Sequence, residues 1–413
     1  MEQLTTERRV VLGFQHTVAM FGATILVPLL TGLDPSVALI SAGVGTLIFH
    51  LVTKMMVPVF LGSSFAFIPP IIAAANGGGT LGEIGIGVMA AGVIYLLMSG
   101  LVMLIGPGFI RKIFPPIVTG PVIAVIGITL APVAINNASG HWWVAIVTCA
   151  AVVVAAIYFK GLFKMLPILS GFIFGFLFAW LIHTFGWFDQ MSFTPLEEAD
   201  WIAWPDFTTA DLGFNWDVIL LIAPVAFVTM IEHVGDILAN GRVVGKDFFA
   251  QPGVHRTLMG DGLATSFAGL IGGPPNTTYS ENTGVLAVTR VYDPMVLRIG
   301  ALFAIALGFI PKFGGLLRSV PVEVLGGLSI ILFGMIAAVG LRTLVEGKVD
   351  FTKARNMIIA ALILVLGLGV SGLASLPAIT FGDTTIEISG LALGAVVGVL
   401  ANLILPGAEL VED

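Results

Sequence analysis

The sequence PPNTTYSENTGVLAVTR, residues 274–290, places many hydrogen-bonding groups between two long apolar runs. It contains one carboxylate, two asparagines, four threonines, a tyrosine, a serine and an arginine. Its two adjacent prolines and its short polar residues disfavour a continuous helix. What this stretch can do depends on whether it lies in water or in lipid, and the composition of the whole chain decides between the two.

The composition is that of a polytopic membrane protein. Of the 413 residues, 57% are hydrophobic and only 10% are charged, whereas soluble domains carry about 25% charged residues. The formal net charge of −7 is spread over loops and tails, so membrane lipids and not nucleic acids are the expected surroundings. The single cysteine, Cys149, excludes an intrachain disulfide.

Apolar segments divide the chain into fourteen predicted spans, since a span needs about 20 apolar residues. We number these segments one to fourteen in chain order. They lie at 11–31, 35–53, 57–74, 84–106, 115–136, 142–159, 165–187, 217–238, 257–272, 275–290, 294–311, 320–341, 355–371 and 388–405. Segments three and ten are short and polar.

The distribution of positive charge tests this division, because cytoplasmic loops are enriched in lysine and arginine. With the N-terminus inside, only Lys312 and Arg318 of the 18 lysine and arginine residues fall on the outer side. The long segment 189–216 has neither lysine nor arginine and carries six carboxylates, so it is predicted to lie outside. We therefore expect a multi-pass membrane protein with both termini in the cytoplasm.

The same division predicts two inverted repeats of seven spans, because an odd number of spans per half turns the second half upside down. Segment three then corresponds to segment ten, which contains the opening stretch. Segment three contains FLGSSFAFIPP, residues 60–70, which also combines glycine, serine and proline. Unpaired backbone at membrane depth is tolerated only where it is buried in protein or lines a cavity. We expect these two short extended segments to meet at a binding site.

Carboxylates at membrane depth are rare, and they usually indicate a substrate or proton path. Glu232 and Asp236 are four residues apart and so share one face of the predicted helix in segment eight. Two carboxylates so close in a medium of low dielectric do not both ionise readily, which suits a proton carrier. The alternative is that they join helices through hydrogen bonds. Glu281 lies in the predicted break of segment ten, where a substrate role is favoured.

Other residues at membrane depth leave both a packing role and a functional role open. His16 and His233 are either core histidines or supports of the site, and Phe65 either packs in the core or stacks on a substrate. Asp261 is predicted to pair with the backbone or with a neighbouring helix. The sequence contains no metal-ligand cluster, phosphate-binding loop or nucleophile motif, so we predict no catalytic residue, metal or cofactor.

Several motifs resemble those of the nucleobase–ascorbate transporter family. The stretch ENTGVLAVTR at 281–290 is similar to the family signature, and LGSSFAFI at 61–68 and EHVGD at 232–236 are similar to its other motifs. The resemblance covers the whole chain and is closest to the bacterial uracil permeases of that family. It implies a homodimeric secondary active transporter of the bacterial cytoplasmic (inner) membrane that moves a core domain against a gate domain in an elevator-like manner.

The resemblance also implies how the segments group into domains. A core (transport) domain would comprise 1–110 and 217–318, and a gate (scaffold and dimerisation) domain would comprise 111–216 and 319–406. A cytoplasmic tail would follow at 407–413. The fold class expected is therefore an all-α polytopic membrane protein with core and gate domains built from inverted repeats.

Matching motif positions imply which residues form the site. The substrate-binding residues would be Glu232, Glu281, Phe65, Ser280, Ala23 and Tyr279. Proton coupling would involve Glu232, Asp236 and Glu281. Possible supporting residues are His16, His233, Asn282, Thr283 and Phe333. Uracil has two N–H donors, which suit carboxylates, and two carbonyl acceptors, which suit the N–H groups at the ends of interrupted helices.

Three positions depart from the uracil permease pattern and leave the substrate open. Asp236 stands where a histidine is expected, Phe333 where a tyrosine is expected, and Ser280 where a glycine is expected. Aspartate at the first position is common in purine and xanthine carriers, but those carriers commonly have glutamine at the position of Glu281. We therefore expect proton-driven uracil symport, with xanthine or purine symport as the alternative.

Two further alternatives come from other functional classes. An anion carrier of the same fold would require net positive charge in the site, whereas carboxylates are predicted there. An intramembrane enzyme would use the acidic pair as acid and base, whereas paired interrupted spans in inverted halves favour transport.

Overall fold

Helices make up most of the chain in this computed structural model, which describes residues 5–160, 166–207, 213–372, 379–381, 384–386 and 389–407. The first-half helices are α1 Thr6–Thr31, α2 Pro35–Val52, α3 Ile68–Asn76, α4 Leu81–Ile105, α5 Gly108–Ile113, α6 Pro116–Thr129, α7 Ala131–Ser139, α8 Trp142–Tyr158, α9 Pro167–Thr184 and α10 Thr194–Glu198. The second-half helices are α11 Trp216–Ile222, α12 Ala226–Val244, α13 Val254–Leu270, α14 Ser280–Thr289, α15 Pro294–Gly308, α16 Pro311–Arg318, α17 Val322–Glu346, α18 Ala354–Gly372 and α19 Gly390–Ile404.

Four short strands accompany these helices: β1 Leu61–Ser63, β2 Asn276–Thr278, β3 Ile379–Phe381 and β4 Thr384–Ile386. A 3₁₀ turn at Phe65–Phe67 follows β1, and another at Ala223–Val225 joins α11 to α12. Lys164, which entered the orientation argument, and residues 408–413 of the predicted tail lie outside the described residues.

The predicted polytopic character is confirmed. Each of the fourteen segments coincides with a helix or, in segments three and ten, with a strand followed by a helix. By length and composition alone, 7 helices of the described residues could cross a membrane, or up to 8 if the bent pair α15 and α16 forms one span. That pair is bent by 80°. The number of fourteen spans stays a prediction.

The starts of several helices follow from local chemistry. Asp34 caps α2 by accepting hydrogen bonds from the backbone N–H groups of Ser36 and Val37, and Pro35 occupies the first turn. Thr80 and Glu83 form a reciprocal capping box at the start of α4. These side chains satisfy N–H groups that have no partner within the helix.

The predicted breaks in segments three and ten are confirmed, and the two breaks meet. Strand β1 pairs antiparallel with β2, with Leu61 opposite Thr278 and Ser63 opposite Asn276. Threonine side chains form hydrogen bonds with backbone groups of both strands. The Leu61 N–H donates to Thr46 Oγ1 at 2.9 Å, and the Asn276 carbonyl accepts from Thr265 Oγ1 at 2.9 Å. The extended backbone is therefore buried in protein, as the bilayer requires.

The packing of the helices has the two-fold pattern of an inverted repeat. Segment two (α2) packs against segment eleven (α15), and segment nine (α13) packs against segment four (α4), which is the same pair with the halves exchanged. Segments six and seven (α8 and α9) pack together, as do segments thirteen and fourteen (α18 and α19). Segments three and ten are counterparts in the two halves, and they pair with each other through β1 and β2, so exchanging the halves leaves this pair unchanged.

Helices of the predicted core domain pack mainly with one another, and those of the predicted gate domain do the same. In the core, α13 packs against α4 and α2, and in the gate α17 packs against α6, α7 and α8. Contacts between the two groups include those of α1 with α9 and of α12 with α6. The domain boundaries themselves stay predictions.

Candidate functional site

Three carboxylates lie close together where segments eight and ten meet. Glu232 and Asp236 are one turn apart on α12, and Glu281 is in the first turn of α14. Glu232 interacts electrostatically with both Asp236 and Glu281. The structure thus brings together the three residues that the sequence associated with proton coupling.

Two hydroxyl groups from segment ten hold the Asp236 carboxylate. Thr278 Oγ1 donates to Asp236 Oδ2 at 3.0 Å, and Ser280 Oγ donates to Asp236 Oδ1 at 2.5 Å. Thr278 is buried and Ser280 is exposed. Thr278 was not among the predicted site residues, although its place in the polar stretch before Glu281 was a signal.

The helices that follow the two strands begin without side-chain caps. Helix α14 begins at Ser280 after Tyr279, and the 3₁₀ turn begins at Phe65 after Ser64; neither Tyr279 nor Ser64 makes a side-chain cap. The first N–H groups of a helix have no intrahelical partner, and the helix dipole adds partial positive charge there. These N-termini can therefore donate to carbonyl oxygens of a ligand.

Tyr279 is a packed residue between the two interrupted segments. Its hydroxyl donates to the Ser63 carbonyl at 2.8 Å, and its backbone N–H donates to the Phe60 carbonyl at 3.0 Å. A Cβ at Gly62 would overlap the Tyr279 ring, so the ring lies directly on the β1 backbone. Ala23 is buried on α1, which packs against β1.

Two asparagines anchor the first turns of α14 to neighbouring helices. Asn282 Nδ2 donates to the His16 carbonyl at 2.9 Å and lies 3.1 Å from His16 Nδ1. Asn240 Nδ2 donates to Thr283 Oγ1 at 3.2 Å and to the Pro58 carbonyl at 3.0 Å. His16, Asn282 and Thr283 therefore help to join the start of α14 to α1 and α12, and Asn240 is an anchor that was not predicted from the sequence.

His233 is next to Glu232 in the chain but pairs with a residue outside the group of three carboxylates. Its Nδ1 lies 2.8 Å from Asp261 Oδ2 on α13, and both side chains are completely buried. Phe49 and Tyr95 make edge-to-face contacts with its ring. The prediction that Asp261 pairs with a neighbouring helix is confirmed.

Phe65 and Phe333 contact each other across the predicted boundary between core and gate. Phe65 begins the 3₁₀ turn after β1, and Phe333 lies on α17. Both rings are buried. The structure thus places Phe333 beside one of the two interrupted segments.

Known proteins are similar to this chain in sequence over almost its full length. The sequence model of the Permease family matches residues 7–376. A uracil permease of Bacillus caldolyticus is 45% identical over 98% of this chain and 93% of its own length. A uracil permease of Bacillus subtilis (strain 168) is 46% identical over 96% of this chain and 92% of its own length.

Solved structures with low sequence identity share the fold. The transmembrane domain of a cyanobacterium bicarbonate transporter, BicA, superposes with a TM-score of 0.65 at 15% identity and covers 96% of both chains. The structure of SLC26A9 superposes with a TM-score of 0.64 at 13% identity and covers 95% of this chain and 64% of its own. At such identity the likeness concerns the fold alone, and it confirms the predicted fold class.

Proposed function

This chain belongs to the nucleobase–ascorbate transporter family and is a nucleobase transporter rather than an enzyme, and on that premise we propose that it imports uracil together with a proton. The observation that carries the proposal is the group formed by Glu232, Asp236 and Glu281 beside the paired strands of the two interrupted segments. The high identity to two uracil permeases supports uracil as the base.

The chemistry of uracil matches the donors and acceptors of the site. Glu232 and Glu281 accept hydrogen bonds from the two N–H groups of the base, since an ionised carboxylate is only an acceptor. The uncapped N-termini at Phe65 and Ser280 donate to its two carbonyl oxygens. Tyr279 and Ala23 shape the pocket by packing on the β1 side of it.

Proton coupling follows from the charge of the site. Three carboxylates interact there. The turns of α12 around Glu232 and Asp236, from Ala226 to Ala239, contain no lysine or arginine. Holding three negative charges in a medium of low dielectric is costly, so a neutral base binds best when a proton has entered the group. The proton gradient is then the driving force, and no cofactor is needed.

The transport step is an elevator-like motion of the core domain against the gate domain. The inverted repeat supports it, since such repeats carry the substrate site at their interrupted helices and move relative to a scaffold. Phe65 of the core domain contacts Phe333 of the gate domain, so this contact lies on the interface along which the two domains move. The protein acts as a homodimer in the cytoplasmic membrane, with both termini in the cytoplasm.

Symport of xanthine or another purine is the second candidate, and Asp236 is the observation that favours it. An anion substrate like that of the bicarbonate transporter is disfavoured, because the site contains carboxylates and the likeness to that protein is one of fold.

The test is uptake of labelled uracil by the purified protein in proteoliposomes with an acidic exterior. We expect uptake above the equilibrium level, its collapse when a protonophore is added, and competition by unlabelled uracil that is stronger than that by xanthine, hypoxanthine or thymine. Uptake that ignores the proton gradient would exclude symport. Stronger competition by xanthine would assign the protein to the purine branch.

A further inference from the structure

Two polar residues from different segments of the proposed site contact each other. The Ser280 hydroxyl donates directly to the Asp236 carboxylate. The two residues therefore form one unit that joins α12 to the start of α14.

The hydroxyl of Ser280 can reverse its role, whereas an ionised carboxylate cannot. A serine hydroxyl carries one donor hydrogen and also accepts, but a carboxylate only accepts. While Asp236 is ionised, the hydrogens of Ser280 and Thr278 both point at it. Ser280 is the exposed member of this pair, next to Glu281 at the uncapped start of α14.

We propose that Ser280 relays the protonation of Asp236 to the substrate. A proton that binds Asp236 Oδ1 makes this oxygen a donor to Ser280 Oγ. The Ser280 hydrogen then turns away from Asp236 and donates to a carbonyl oxygen of the base. When the base leaves and Asp236 releases the proton, the hydroxyl turns back. The proton comes from the outer solution and leaves to the cytoplasm, so one O–H bond forms on Asp236 and the same bond breaks on return. Thr278 donates to Oδ2 throughout.

The relay rests on the proposed symport and explains how proton and base are linked. Glu232 and Glu281 are the proposed acceptors for the base, so a proton on either would remove a substrate contact. The described contacts of Asp236 are with hydroxyls, so a proton on this residue adds a donor to the site and removes no acceptor.

Other charged groups around Asp236 bear on the pH dependence. On its own helix these are Glu232 and His233, and on α14 the group is Glu281. Helix α13 contributes Asp261, which is paired with His233, and α4 contributes Tyr95. The segments of α6 and α19 that pack against α12 contain no titratable side chain.

The test compares the KM for uracil over an external pH series for the wild type and for Ser280→Ala, Ser280→Gly and Ser280→Thr in proteoliposomes. We expect Ser280→Ala and Ser280→Gly to raise KM about fivefold at acidic pH and by progressively less towards alkaline pH, because the side-chain hydrogen bond to the base exists only in the protonated state. Ser280→Thr keeps a hydroxyl, so its profile should follow the wild type. Asp236→Asn, whose amide donates permanently, should show a KM that no longer depends on pH.

The outcomes separate the relay from the symport itself. If the wild type takes up uracil without using the proton gradient, the proposed function fails. If the wild type is proton-driven but both Ser280→Ala and Ser280→Gly keep its pH profile, the relay is overturned. The relay is also overturned if Ser280→Thr behaves like Ser280→Ala. If Ser280→Ala does not fold, Ser280→Gly decides the matter, because it also removes the hydroxyl and adds no atom to the site.

Discussion

Phe65 and Phe333 meet edge to face, with ring centroids 6.0 Å apart and an interplanar angle of 72°. The first ring belongs to an interrupted segment that forms the proposed site, and the second belongs to a helix of the predicted gate domain. An aromatic edge-to-face contact is favourable yet free of hydrogen bonds. Such a contact can separate and re-form during transport without leaving a buried polar group unpaired.

Truncation of Phe333 should destabilise the protein strongly. Phe333 is 1% exposed, and replacing a buried phenylalanine by alanine costs about 3–5 kcal/mol. Thermal unfolding of purified Phe333→Ala should show a clearly lowered Tm. Phe14→Ala is the matched control, because Phe14 also makes an edge-to-face contact, with Phe303, but is 52% exposed. An equal loss in both variants would contradict the packing role of Phe333.

Neutralising the proposed substrate carboxylates should weaken uracil binding. Glu281→Gln and Glu232→Gln keep the shape of the side chain but replace a charged acceptor, which is worth about 1.5–3 kcal/mol. We expect KM to rise about ten- to hundredfold. Glu83→Gln, at the capping box of α4, should leave KM unchanged. Uptake by Glu281→Gln at the wild-type KM would remove Glu281 from the binding site.

A methyl group at Gly62 should disrupt the paired strands. The added Cβ would overlap the Tyr279 ring and come within 2.6 Å of Thr24 Oγ1. The ring would have to move, and its hydroxyl would lose the hydrogen bond to the Ser63 carbonyl. We expect Gly62→Ala to lose most uracil uptake and to lower the Tm. Gly100→Ala is the control, since no atom lies within 4 Å of its added Cβ. Normal uptake by Gly62→Ala would show that the ring position is not needed.

A cross-link between the predicted core and gate domains should stop transport if these domains move. Arg242 on α12 and Glu346 on α17 form an ion pair with an N–O distance of 3.1 Å. In a background with Cys149 replaced by serine, we expect a short bifunctional thiol reagent on Arg242→Cys and Glu346→Cys to reduce uptake strongly. A reducible reagent should allow recovery after reduction.

The control for this cross-link lies on a single helix. Arg342 and Glu346 are four residues apart on α17 and pair at 3.2 Å. The same reagent on Arg342→Cys and Glu346→Cys should leave uptake unchanged, because no domain boundary is crossed. Undiminished uptake with the cross-link between Arg242→Cys and Glu346→Cys, verified by mass spectrometry, would contradict an elevator-like motion at this surface.

Much of the architecture could be predicted from local features of the sequence. The lengths of apolar runs identified the helical segments, and glycine, serine and proline identified the breaks before Phe65 and Ser280. The spacing of Glu232 and Asp236 identified their shared helix face. Resemblance to a known family added Tyr279, whose role in substrate binding stays a prediction. The predictions of helices and breaks succeeded because they depend on residues close together in the chain.

The partners of the polar side chains could not be predicted in this way. Thr278 as a partner of Asp236 depends on the register between β1 and β2 and on how α12 packs beside them. His233 follows Glu232 directly, yet it faces α13 and Asp261.

The sequence by itself determined a membrane-embedded helical protein with two interrupted segments and a few carboxylates within its apolar segments. Hydrophobic length, proline and glycine act locally, so no tertiary information is needed for these features. Only the tertiary structure decided that the two interruptions pair as strands, that Ser280 contacts Asp236 and that Phe333 contacts Phe65. Those contacts join residues from different segments, and the packing of the two inverted halves sets which side chains meet.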